Sequence, residues 1–313
     1  MTSNMQLLAV HEVYDTIDPT KELKDSAQGK VVLITGAGRG IGQAIAKAFT
    51  IAGAKALILT AYEDSELEDT KKIVQKIRPE IEVFYRAFDV RDKNEVERFI
   101  KDAAEWSQQR IDVLCANAGH SPPLVEIADS DPDRWWLGFE INLKGAYLFA
   151  RYVLPIMRKQ KSGHVIITSS RATVAVESLM SSYQISKLAV TRLADCLDEE
   201  NQQYGIKTFA IHPGGIITRL LTDMEAHKDD PTMSIATSYI RPKLSEDISL
   251  PGNVCVFLAS GKADFLSGRY IDATIDFREI LKNKDIILKR DLFKVGVPLN
   301  WDESGGAIVC PRN

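Results

Sequence analysis

Cysteine is scarce in this chain of 313 residues: Cys115, Cys196, Cys255 and Cys310 are the four, widely spaced and without a CxxC pair. That spacing argues against a disulfide framework. Three of the four lie in apolar segments, as buried free thiols of a reducing compartment do. His120, His164, His212 and His227 show no metal-ligand spacing and read as structural, so no metal site is expected. No apolar run reaches the roughly 18 residues that span a bilayer. Residues 1–18 lack the basic start and apolar core of a secretory signal, which together point to the cytosol and away from a membrane. The formal net charge of −4 carries no polyanion signal, so nucleic acid is not an expected partner. Repeats, low-complexity tracts and a shift of composition are also missing. With 45% hydrophobic and 26% charged residues, the chain reads as one globular domain over 1–313.

What is present is alternation. Residues 30–35 (Lys-Val-Val-Leu-Ile-Thr) form a buried-type strand, Gly36-Ala-Gly38-Arg39-Gly40-Ile41-Gly42 a loop, and 43–51 an Ala-rich helix. Glycines allow a tight turn and close backbone approach, while the helix N-terminus offers N–H groups to a phosphate, so this is a nucleotide phosphate site. Strands are expected at 56–60, 81–87, 111–116, 165–168, 206–211 and 268–273. Helices are expected at 65–78, 92–107, 133–160, 181–204, 251–259 and 277–290. Repeated βα units imply an α/β fold: a doubly wound, Rossmann-type parallel sheet flanked by helices, three layers deep. Its carboxyl edge would collect the glycine loop, Asp89-Val90, Asn117-Ala118-Gly119 and a serine pair. The core spans about 29–275. A polar lead-in over 1–28 drapes over the surface, 219–248 lacks any period and reads as a lid, and 276–313 is an extension.

Residues 163–190 carry the chemistry. A short β-branched run delivers Ser169 and Ser170 to a strand tip. After a loop, Ser181 and Ser182 are positioned to cap a helix on which Tyr183 and Lys187, four apart, share one face. An ammonium beside a phenol favours the phenolate and brings the tyrosine toward acid–base range. Asn142 lies inside the 133–160 helix, where an amide has no propensity advantage. Trp135 and Trp136, at its start, read as core or interface.

These motifs resemble the short-chain dehydrogenase/reductase family in its common, non-extended branch. Thr35-Gly-x-x-x-Gly40-x-Gly42 matches the T-G-x-x-x-G-x-G spacing and Asn117-Ala-Gly119 the N-A-G element. Asn142, Ser170, Tyr183 and Lys187 fall on the catalytic tetrad, with Ser170 selected over Ser169 because the family serine lies thirteen residues before the tyrosine. Pro213-Gly214-x-Ile216-x-Thr218 fits the segment that grips the nicotinamide carboxamide. The resemblance covers about residues 29–275. It implies Tyr183 as general acid/base, Lys187 on the tyrosinate and the ribose, Ser170 on the carbonyl, and Asn142 holding a water behind Lys187. It also implies a homodimer or homotetramer built through helices 133–160 and 181–204.

The implied cofactor is NADP(H) in preference to NAD(H). The second strand ends Leu59-Thr60-Ala61 with Tyr62 and no acid at its end, and Arg39 in the glycine loop suits a 2′-phosphate; Glu63 and Asp64 remain candidates for a ribose. Val174, Val176, Leu179, Met180, Ile216 and Leu220 flank the expected site, so a small, moderately apolar carbonyl compound or secondary alcohol is the expected substrate. Alternatives are a dinucleotide-sensing regulator without turnover, and a dehydration, epimerisation or cyclisation at Tyr183. Ile271-Asp-Ala-Thr-Ile-Asp276 replaces the family's usual V-D-G-G, and with the long tail resembles members from fungal genomes.

Overall fold

Val31–Thr35 (β1) is wholly buried, as a central parallel strand covered on both faces must be. It lies between Ala56–Ala61 (β2) and Val113–Ala116 (β4), with Ile34 opposite Leu59 on one side and Cys115 on the other. Glu82–Ala87 (β3), Gly163–Thr168 (β5), Ile206–His212 (β6) and Arg269–Asp272 (β7) complete a seven-stranded parallel sheet, in the order β3-β2-β1-β4-β5-β6-β7. The computed structural model describes residues 7–218, 222, 237–238, 241–296, 299–300 and 307–308. Most of the expected lid, with Leu220 and His227, lies outside them, as does Cys310.

Side chains alternate along each strand, and the two sets build two cores. Val32, Ile34, Val113, Ile166 and Phe209 pack with Gly40–Ile51 (α1), Asp64–Ile77 (α2) and Ser249–Ala259 (α7). Val31, Leu33, Leu114, Val165 and Ala210 pack with Lys93–Trp106 (α3), Ala146–Gln160 (α5) and Ser181–Asn201 (α6). These are the three layers that the alternation of strand and helix calls for. Because β1 turns to β2 on one side and β4 on the other, the crossovers diverge there and leave a crevice at the carboxyl edge.

Three stretches differ from the sequence expectation. The helix expected over 133–160 begins with Pro132–Phe139 (α4), capped by Asp131 Oδ1 accepting from Arg134 N. It then widens into a π-helical turn, Glu140–Gly145, before α5 ends at Lys161 in the left-handed region, φ 56°. The charged helix expected over 277–290 is two helices, Phe277–Lys282 (α8) and Lys284–Lys289 (α9). Between them Asn283 donates its side-chain amide to Glu279 O at 2.7 Å, a local bond that competes with helix continuation. The lead-in runs over the surface in its described part but is anchored at points that its polar composition did not announce. Ile17, Leu23 and Ala27 are fully buried in the core, and Val10 N donates to Thr274 O at 2.7 Å.

Among the described residues no helix is long and apolar enough to cross a membrane. Cys115 and Cys255 are buried as expected, whereas Cys196 is exposed, because α6 turns that position outward.

The helix layer that carries α1 is held close by a glycine. A Cβ on Gly252 of α7 would sit 2.7 Å from Ala44 O of α1. Gly252→Ala is therefore expected to cost about 1–3 kcal/mol, read as a lower urea midpoint with an unchanged denaturant slope.

Candidate active site

The crevice is a cleft of about 970 Å³ at the carboxyl ends of the strands. The glycine loop forms one wall. Gly36 and Gly40 are left-handed, φ 64° and 55°, and a Cβ on Gly42 would fall 2.0 Å from Gly36 O. Gly42 thus stands behind the cleft and allows the loop to close, while Gly36, Gly38, Arg39, Gly40 and Ile41 line it. Thr35 Oγ1 accepts from Asn117 N and Ala118 N at 3.0 and 2.9 Å, tying the end of β1 to the loop after β4. Thr70 Oγ1 donates to Ala37 O at 2.9 Å and fixes the loop from α2. The first N–H groups of α1 have no side-chain cap, so the helix N-terminus is left for an anion.

Asn117, Ala118 and Gly119 line the cleft, as do Tyr62, Asp89 and Val90. Tyr62 is 74% exposed at the rim. The Asp89 carboxylate is held well below its ordinary range by the Arg91 guanidinium, which binds both oxygens. Pro213, Gly214, Ile216 and Thr218 line the opposite wall. Gly215 N donates to Glu246 Oε2 at 2.7 Å, so a residue near the end of the 219–248 segment fastens this wall.

The two strand-tip serines point in different directions. Ser169 is buried, bonded to Thr173 and Thr191 inside the protein. Ser170 lines the cleft with Tyr183, and its hydroxyl accepts from Ala172 N at 3.2 Å. Lys187 is 3% exposed, and its Nζ donates to Thr168 O at 2.8 Å while lying 5.7 Å from the centroid of the Tyr183 ring. Burial brings its ammonium down to about 8. Burial also raises the Tyr183 phenol above its ordinary value, and the Ser170 hydroxyl opposes this only in part. The lowering expected from Lys187 is not found: burial governs the phenol, and the lysine Nζ is directed to Thr168 O.

Asn142 is buried and does not line the cleft. Its Oδ1 accepts from His120 N at 2.8 Å, and its Nδ2 donates to His120 O and Ser186 Oγ, both at 2.9 Å. The π-helical turn carries this amide, which bridges the loop after β4 to α6. Ser181 and Ser182 do not cap α6. Ser181 Oγ accepts from Trp135 Nε1 at 2.9 Å and Ser182 Oγ donates to Trp135 O, so both are drawn toward α4. Trp135 in turn walls a side cavity of about 530 Å³ with Leu179 and Met180, which opens beside Tyr183. Of the expected apolar flank, Val174 and Val176 are 65% and 96% exposed and leave the site; the short turn Arg171–Thr173 carries them outward. Trp136, 57% exposed, is not core. Among the described residues no cluster of His, Cys, Asp or Glu could hold a metal.

A family model of short chain dehydrogenases matches residues 30–229. The chain belongs to the short chain dehydrogenase family. It is 32% identical over 291 residues to the short chain dehydrogenase mpl6 of Monascus purpureus, which covers 91% of this chain and 94% of that protein. With pigC of Monascus ruber it shares 31% over 288 residues, 91% of each. These relatives make it a fungal-type member. Among solved structures, levodione reductase superposes with a TM-score of 0.72 at 30% identity, over 78% of this chain and 96% of that one. NAD+-bound xylitol dehydrogenase does so with a TM-score of 0.72 at 24% identity, a likeness of fold. The short chain dehydrogenases are oxidoreductases that work with a nicotinamide cofactor on small molecules.

The buried Lys187 has a measurable signature. Below pH 8 the ammonium is charged in both folded and unfolded chains, and burial penalises the folded one. Between about 8 and 10.5 the folded protein sheds a proton that the unfolded chain keeps, so this group makes stability rise with pH. The relieved penalty is about 3 kcal/mol, of the same order as the about 1.5–3 kcal/mol of a charged group's hydrogen bond such as that to Thr168 O. The stability of the parent relative to Lys187→Met is therefore expected to rise by about 2–3 kcal/mol from pH 7 to pH 10, read from melting curves of both proteins at the two pH values.

Proposed function

We propose that this short chain dehydrogenase is an NADP(H)-dependent carbonyl reductase or secondary-alcohol dehydrogenase for a small, moderately apolar molecule. The observation that carries the reading is the convergence of Ser170, Tyr183 and Lys187 on one cleft, with Lys187 fixed on Thr168 O.

The cleft suits a dinucleotide. Its volume is about 970 Å³, and the glycine loop and the uncapped start of α1 offer backbone N–H groups where a pyrophosphate would lie. Nicotinamide, when bound, supplies or accepts the hydride. Arg39 at the rim, with no acid closing β2, supports a 2′-phosphate. Pro213, Gly214, Ile216 and Thr218 would hold the carboxamide end, and Asp89 and Val90 the adenine end, Asp89 through its backbone because Arg91 occupies its carboxylate.

Tyr183 transfers the proton at the substrate oxygen. Its raised phenol is a weak acid in the free protein, so the acid form is the resting one and suits reduction of a carbonyl. Ser170 donates to the same oxygen and stabilises charge that develops there. Lys187, an ammonium with an affinity of about 8, stands behind the phenol, where its charge favours the tyrosinate that forms on proton transfer. Asn142 keeps the loop after β4 and α6 in register around that lysine. The side cavity bounded by Leu179, Met180 and Trp135 gives the substrate's apolar part its place, which Val174 and Val176 do not. Tyr147, Ile185 and Leu188 expose apolar surface on α5 and α6 for a homodimer or homotetramer. The cytosol suits its buried free thiols.

Two variants test the assignment. Tyr183→Phe should reduce turnover by at least about a thousandfold while NADPH titrated by protein fluorescence binds within a few-fold of the parent; unchanged turnover removes Tyr183 from the chemistry. Arg39→Ala should weaken NADPH by roughly tenfold or more and NADH little, and equal losses on both would end the NADP(H) reading.

A further inference from the structure

Arg39 is already engaged. Its Nη1 donates to Glu66 Oε1 at 2.6 Å, across the mouth of the cleft that both residues line. Glu66 sits in the first turn of α2, five residues past Ala61, where β2 ends without an acid. Its side chain leans over the glycine loop: a Cβ on Gly38 would fall 2.8 Å from Glu66 Cβ and 2.9 Å from its Oε2, and 3.2 Å from Ala61 Cβ. The carboxylate therefore occupies the corner between the glycine loop and the end of β2, where the sequence pointed to Arg39, Glu63 and Asp64 and not to Glu66.

We propose that Glu66 sets the strength of 2′-phosphate recognition: it holds Arg39 across the mouth of the ribose end, and NADP(H) binds by replacing the carboxylate as the partner of the guanidinium. This rests on the NADP(H) reading above. The exchange is feasible because the side chains of Arg39 and Glu66 are 47% and 22% exposed, and ion pairs so placed are weak. A phosphate offers the guanidinium fork three acceptor oxygens and more charge than a carboxylate does. After the exchange Glu66 is left close to that phosphate, and Glu63, which also lines the cleft, adds a second negative charge. The carboxylate of Glu66 thus weakens NADP(H) binding twice, by competing for Arg39 and by repelling the phosphate. NAD(H), with a neutral hydroxyl in that place, meets neither effect.

The test is the dissociation constant of NADPH and of NADH, by titration calorimetry, for the full-length parent, Glu66→Gln, Arg39→Ala and the double variant. Glu66→Gln keeps the size and a hydrogen-bonding oxygen and removes only the charge, and a melting curve shows that it folds. NADPH is expected to bind about five- to thirtyfold tighter to Glu66→Gln, with NADH within twofold, and this gain should shrink severalfold in the Arg39→Ala background. NADPH affinity that is unchanged or weaker in Glu66→Gln overturns the proposal. So does a tenfold loss of NADH alone, which would make Glu66 a ligand of the ribose hydroxyl. Arg39→Ala reports separately on the cofactor: a selective loss of NADPH there leaves the NADP(H) reading standing even where Glu66→Gln fails.

Discussion

A single ammonium buried against the end of a central strand constrains the rest of this site. Lys187 has almost no contact with solvent; burial brings its ammonium down to about 8, and its Nζ donates to Thr168 O. That bond needs β5 to end at Thr168 and α6 to pass directly above it. Ser170, two residues past Thr168, and Tyr183, one turn before Lys187, then face the same space. The site is costly to fold and is carried by a sheet whose two cores are well packed on either side.

The cleft beside that lysine exists because the chain turns both ways from β1. Loops from β1, β2, β3 and β4 gather on one side and those from β5 and β6 on the other, held together by Thr35 on the Asn117 loop and by Glu246 on Gly215. Asn142 adds a third tie, from the π-helical turn to α6. Each tie joins two segments far apart in sequence, so the walls are set by long-range bonds and the residues that line them are free to meet a ligand.

Much of the fold was legible in the sequence, because apolar runs, turn glycines and helix caps are local signals. Every strand of the main sheet was found within two residues at each end. The site was legible in its motifs but not in its wiring. Ser169 and Ser170 are equivalent by composition, and only the direction of the side chain at the strand tip separates a buried bond to Thr191 from a place in the cleft with Tyr183. Ser181 and Ser182 carried a capping signal that Trp135 overrode by drawing both hydroxyls to α4. Glu66 and Glu246 gave no local signal at all: one lies on a helix face and one near the end of the aperiodic 219–248 segment, and each matters through a partner distant in sequence. Burial likewise raises the Tyr183 phenol, an effect that spacing does not report.

The claim that this is a working oxidoreductase, and not a sensor of dinucleotide, is tested most directly by following nicotinamide absorbance with the purified protein across a panel of ketones, quinones and secondary alcohols. The account predicts that at least one of them consumes NADPH, or forms it from NADP+, in a one-to-one ratio with product. Tight binding of NADPH with no consumption across the whole panel in either direction would contradict it.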